Sequence, residues 1–126
     1  MPLSAIQTPD APPPIGPYAQ AIDTGSLVFI SGQIPLDPVS GNVTGATIEE
    51  QAARALMNLK AVLSAAGLTP GSLVKTTVFL RSMNDFAAFN AVYGRLLDGA
   101  TPARSVVEAG ALPRGAMVEI EAVACR

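Results

Sequence analysis

A chain of 126 residues with a formal net charge of −2 and no histidine is long enough for one domain with its own core, read here as spanning residues 1–126. Without histidine, Ser-His-Asp and Cys-His catalysis and histidine-ligated metals fall away, and without a basic excess a general nucleic-acid binder is disfavoured. With 49% hydrophobic and only 14% charged residues, the chain has more apolar surface than a small domain covers by itself, so self-association is expected. The lone Cys125 has no partner for an intrachain disulfide, which suits a reducing cytoplasm. No window is long enough for a membrane span, and the first ten residues lack the basic-then-apolar order of a signal peptide, so the expected address is the cytoplasm, away from membranes.

Along the chain, prolines at 9, 12, 13, 14 and 17 make Thr8 to Pro17 extended and irregular. Tyr18 to Asp23 and Leu27 to Gly32 read as strands around a Thr24-Gly25-Ser26 turn. Gln33 to Gly45, with Pro35, Asp37-Pro38 and Gly41-Asn42, has loop chemistry. Thr47 and Glu50 then form a capping box. Behind it Ile48, Ala52, Ala55, Leu56, Leu59, Val62, Leu63 and Ala66 make one apolar stripe, stopped by Gly67 and Pro70. Leu73 to Arg81 is a strand with Val74, Thr76, Val78 and Leu80 on one face. Ser82 or Asn84 caps a second helix that buries Phe86, Phe89, Val92, Tyr93, Leu96 and Leu97 and ends at Gly99. Arg104 to Ala109 and Ala116 to Cys125 are two further strands around Leu112-Pro113-Arg114-Gly115. The order β-β-α-β-α-β-β, with only two helices, packs most economically as a mixed sheet with both helices on one face. The other sheet face is left without cover, which again argues for an oligomer.

Five places are weighed for candidate chemistry. Period two puts Glu119 and Glu121 on one face of the last strand and Val118, Ile120 and Ala122 on the other. That is either a half-solvated strand with its charges outward or a carboxylate facing a pocket, where desolvation raises its pKa and suits it to proton transfer. Arg104 is either a surface charge or a planar fork gripping a carboxylate. Ser31-Gly32 ends a strand with a hydroxyl beside a backbone that a ligand can approach, or is simply a turn. Tyr18 reads as a core aromatic with its hydroxyl at the rim, and Cys125 as a packing or frayed residue rather than a nucleophile.

Taken together, Ile15-Gly16-Pro17-Tyr18, Ile30-Ser31-Gly32-Gln33-Ile34-Pro35, Lys75-Thr76-Thr77-Val78-Phe79-Leu80, Asn84-Asp85-Phe86, Asn90-Ala91-Val92-Tyr93, Pro102-Ala103-Arg104-Ser105 and Val118-Glu119-Ile120-Glu121-Ala122 strongly resemble the RidA/YjgF family of reactive-intermediate deaminases. The resemblance covers nearly the whole chain in order. It implies a chorismate-mutase-like α+β fold, a homotrimer with pockets between neighbouring subunits, and hydrolysis of enamines and imines such as 2-aminoacrylate to a 2-keto acid and ammonia. By the same resemblance Arg104 grips the substrate carboxylate and Glu119 holds the attacking water. Tyr18 and Ser31 contact substrate, Gly32 contributes backbone, and Asn90 is a pocket-associated asparagine. No cofactor or metal is implied, since an iminium carbon is already electrophilic. Val106 stands where many relatives have a pocket cysteine, which alters pocket polarity and bears on substrate range. Thr101 stands where an aromatic often precedes Pro-Ala-Arg-Ser. Three other readings stay open: a non-catalytic metabolite sensor or chaperone-like protein of the same fold, a pathway-specific aminomuconate-type deaminase, and a ribonuclease. The last is ranked low because the chain has no basic stripe with interleaved aromatics.

Overall fold

The computed structural model describes residues 2–126. Its framework is a six-stranded sheet: β1 (Ser4–Ile6), β2 (Ala21–Asp23), β3 (Leu27–Gln33), β4 (Leu73–Leu80), β5 (Ala103–Glu108) and β6 (Val118–Cys125), in the order β1-β2-β3-β6-β4-β5. Two helices, α1 (Ile48–Ala65) and α2 (Phe86–Leu96), complete the architecture. Only the β4–β5 pair is parallel. A parallel pair needs a crossover, and α2 supplies it.

Helix α1 forms where the stripe and caps predict it. Thr47 Oγ1 accepts from the Glu50 amide at 3.2 Å, and Glu50 Oε1 accepts from the Thr47 amide at 3.2 Å, which satisfies two amides that the first turn leaves unpaired. All eight stripe residues are buried. Gly67, at φ 76°, takes the left-handed conformation that terminates the helix. On β6 the alternation is as expected: Val118, Ile120, Ala122 and Ala124 are buried in the core, while Glu119 and Glu121 project from the other face.

Several elements depart from the expected boundaries. Strand β1 was not foreseen: three residues ahead of a proline-rich segment carry no period of their own, and pairing with β2 alone defines them. Tyr18 lies outside β2, which begins at Ala21. Val74 is 47% exposed and Leu73 is buried in its place, because the β4–β6 register shifts between Leu73 and Lys75 and reverses the alternation there. Ser82 accepts from the Asn84 amide at 3.2 Å, but the cap opens a single 3-10 turn over Met83–Asp85 before α2 begins. Of the expected α2 core, Phe89, Val92, Tyr93 and Leu97 are buried, whereas Phe86 and Leu96 are half-buried.

Two buried amides tie the irregular segments down. Asn58, fully buried on α1, donates to the carbonyls of Ile34 and Leu36 at 3.1 and 3.0 Å and accepts from Arg54. Gln20 accepts from the Thr8 amide at 2.8 Å and donates to the Thr8 and Pro12 carbonyls. Proline-rich backbone has few amides of its own, so a side-chain clamp of this kind holds it in place. The sheet face opposite the helices carries Phe29 and Val107, 47% and 43% exposed.

Candidate active site

The site begins with an extra residue. Ile30 pairs with Ala122 and Gln33 with Ile120, so Ser31 and Gly32 together oppose the single Glu121. This β-bulge re-aims the strand locally, and bulges of this kind recur beside functional sites. Glycine at 32 has a steric reason: a Cβ there would overlap the Glu119 carboxylate. Ser31 is fixed at both ends, its amide donating to the Gln20 carbonyl at 3.0 Å and its hydroxyl to the Ala19 carbonyl at 2.6 Å.

Around the bulge lies a cleft of about 430 Å³, lined by Ile15, Tyr18, Ile30, Ser31, Gly32, Pro113, Glu119 and Glu121. Glu119 is half-buried in it. Loss of water, and then the like charge of Glu121, push its carboxyl above the usual glutamate range. Tyr18 is not the core aromatic expected of it. The residue is 45% exposed, its amide donates to the Gly16 carbonyl at 2.9 Å, and its hydroxyl accepts from the Ile15 amide at 3.2 Å. Pro17 directly before it, and the prolines upstream, keep this stretch out of β2, and the side chain lines the cleft.

Arg104 is held elsewhere. It pairs across the parallel ladder with the buried Thr76, which puts its side chain on the helix face of the sheet. The guanidinium carbon lies 4.8 Å from the Tyr93 ring centre and 5.7 Å from that of Phe86, and Nη1 donates to Asn90 Oδ1 at 2.8 Å. Tyr93 is itself pinned by a 2.7 Å hydrogen bond to Thr76. The aromatic faces stabilise the cation by about 0.5–1 kcal/mol each while leaving most of its five donors unused. Among the described residues no carboxylate lies within ion-pair reach of it. Val106, two residues on, shares this face and packs against the core.

Within one chain, therefore, the two principal candidates are apart. Glu119 aligns with Phe79 and Arg104 with Thr76, on strands separated by β4. Two strand spacings and three residues along the strands amount to roughly 14 Å between backbones, with the side chains on opposite faces. Tyr18, Ser31, Gly32 and Glu119 meet at one cleft; Arg104, Asn90 and Val106 belong to a second cluster. Cys125 is exposed at the end of β6 and belongs to neither.

Some contributors were missed in the sequence. Phe86 and Tyr93 stand four residues before and three after Asn90, the one of the three named as a candidate, a spacing that announces a shared face, yet the two aromatics were read simply as core. Pro113 and Ile15 reach the cleft from loops. The Leu112-Pro113-Arg114-Gly115 turn was expected, with Arg114 and Gly115 at φ of 59° and 68°, but not that it brings Pro113 to the cleft.

Comparison with known proteins agrees with this architecture. Residues 8–126 match the family described as Endoribonuclease L-PSP. A RutC family protein of Synechocystis sp. is 52% identical over 126 residues, covering 98% of this chain and 97% of the relative. The 2-iminobutanoate/2-iminopropanoate deaminase of Salmonella typhimurium is 48% identical over 124 residues, covering 96% of each. The crystal structure of E. coli TdcF with bound serine is similar, with a TM-score of 0.94 and 47% identity, over 98% of this chain and 97% of that one. With relatives this similar along almost their whole length, the chain belongs to the endoribonuclease L-PSP family, also called the YjgF/RidA family.

Proposed function

We propose that the protein hydrolyses 2-imino acids and their enamine tautomers to 2-keto acids and ammonia, in sites shared between copies of a homotrimer with a chorismate-mutase-like arrangement of sheets. The observation that carries this reading is Glu119: a carboxyl half-buried in a cleft beside Ser31, Gly32 and Tyr18, held above its ordinary range by desolvation, the direction that suits it to proton transfer. The deaminase name of the Salmonella relative supports the reaction class, and the serine bound to TdcF supports a small 2-substituted acid as ligand.

In this reading the Arg104 fork grips the substrate carboxylate and holds the imine carbon toward Glu119. Water adds to that carbon, forming a C–O bond as Glu119 takes its proton. Glu119 passes that proton to nitrogen, then takes the proton of the new hydroxyl as C=O forms and the C–N bond breaks, so ammonia leaves and the keto acid stays behind. Positioning and proton transfer suffice because the iminium carbon is already electrophilic, and the proton-transfer role is worth roughly 10²–10⁴-fold. Since Arg104 and Glu119 occupy opposite faces of one sheet, the reaction needs Arg104 of one copy beside Glu119 of its neighbour. The apolar open face around Phe29 and Val107 favours such an assembly.

The test is release of ammonia or keto acid from an imine generated in place by an amino-acid oxidase. We expect acceleration over the spontaneous rate, with Arg104→Ala losing substrate affinity and Glu119→Gln losing turnover. No acceleration across small and bulky imines would overturn the proposal. The ribonuclease reading invoked by the family's description finds little support in a chain of net charge −2.

A further inference from the structure

Glu121 has no part in that mechanism, yet it lines the cleft. It projects from β6 on the same face as Glu119, opposite the Ser31-Gly32 bulge, and is exposed. Apart from these two carboxylates, the cleft wall is apolar or neutral: Ile15, Tyr18, Ile30, Ser31, Gly32 and Pro113. Nothing positive offsets them there. Lys75 shares this sheet face but donates to Ser105 Oγ at 2.8 Å, and among the described residues Glu121 has no ion pair.

A ligand entering such a cleft can have one negative group matched by an arginine brought from outside it. A second negative group would come up against the Glu121 carboxylate with no cation in the cleft wall to offset the repulsion. We propose that Glu121 is a specificity residue that restricts the site to monocarboxylates, rejecting substrates whose side chain carries a second acid. This deepens the reading above and rests on it, since it takes the cleft to be the place where the substrate's side chain lies.

Two keto acids of equal chain length separate charge from size: 2-oxopentanoate ends in a methyl group and 2-oxoglutarate in a carboxylate. Calorimetric titration of the intact protein should find 2-oxoglutarate at least about 10-fold weaker, the scale of one unfavourable charge contact. Glu121→Gln, which preserves the shape, should bring the two affinities within about 3-fold, while Glu121→Asp should keep the gap. The imines of the corresponding amino acids should follow the same ratios in kcat/KM. Equal binding of the two acids by the unaltered protein, or a ratio unmoved by Glu121→Gln, would overturn the assignment of Glu121 alone. If 2-oxopentanoate fails to bind at all, the carboxylate site itself is wrong and this inference goes with it. Binding without imine turnover would sink the catalytic reading and leave the role of Glu121 standing.

Discussion

Glu119 illustrates how a side chain's surroundings become a measurable property. Its carboxyl is harder to ionise in the folded protein than in the unfolded chain, first because of burial and second because of Glu121. The folded state therefore holds the proton more tightly. Below the ordinary glutamate pKa both states are protonated and this residue's contribution to stability is fully present. As pH rises through the raised folded value the carboxylate must ionise in the cleft, and stability falls across that window. Glu119→Gln removes the titration. Urea unfolding from mildly acidic to mildly alkaline pH should show the variant gaining on the parent as pH rises, then a constant difference. A difference independent of pH would show that Glu119 is not desolvated. Arg104 is placed by its neighbours too: Phe86 and Tyr93 lie against the guanidinium and Asn90 takes one donor, which leaves the other donors of the fork available.

At the scale of elements, the regular pieces follow from local chemistry and the irregular ones from a few buried amides. Helix α1 needed only its stripe and its capping box, both visible in the residues from Thr47 to Gly67. The segment after the bulge is different. Ile34 and Leu36 are buried, and Asn58 supplies the hydrogen bonds that their carbonyls receive from the neighbouring helix. Asn58→Ala leaves the Leu36 carbonyl without a partner and the Ile34 carbonyl with the Leu36 amide alone, and should destabilise the protein by about 2 kcal/mol, read as a lower denaturant midpoint. Imine turnover should fall along with it if the segment sets the bulge. A cost below about 1 kcal/mol would mean that water replaces the amide. Nothing in the sequence around Asn58 distinguished it from a surface asparagine, because its partners are 22 and 24 residues away. The bulge was closer to legible: a glycine inside a strand is a signal for one, but the pairing across β6 is what makes Ser31 and Gly32 share one partner.

For the whole molecule the governing fact is the sidedness of the sheet. The helices cover one face, Arg104 reaches toward α2 on that side, and Glu119 faces away. A site using both residues requires two copies, and this has a numerical consequence. Arg104→Ala and Glu119→Gln proteins should each be inactive alone. Unfolded together in equal amounts and refolded, they should recover about one quarter of parental activity, because random assembly in a ring places an intact Arg104 beside an intact Glu119 at one interface in four. No recovery from a mixture shown to exchange subunits would mean that each site lies within one chain.

From the sequence alone came the α+β class, both helices, five of the six strands, and the separation of Glu119 and Glu121 from the buried face of β6. All of these rest on periods of two and about four and on caps a few residues apart, interactions that a linear chain displays. The resemblance to the family also brought together Tyr18, Ser31, Gly32, Asn90, Arg104, Val106 and Glu119 as candidates for one site. Only the tertiary structure divided them between two faces of the sheet, since which side a strand residue points to relative to residues on other strands depends on register. The same register set β1 beside β2, turned Val74 outward, and put Ser31 and Gly32 together against Glu121. Each of those outcomes depends on hydrogen bonds between residues distant in the chain, which no local pattern records.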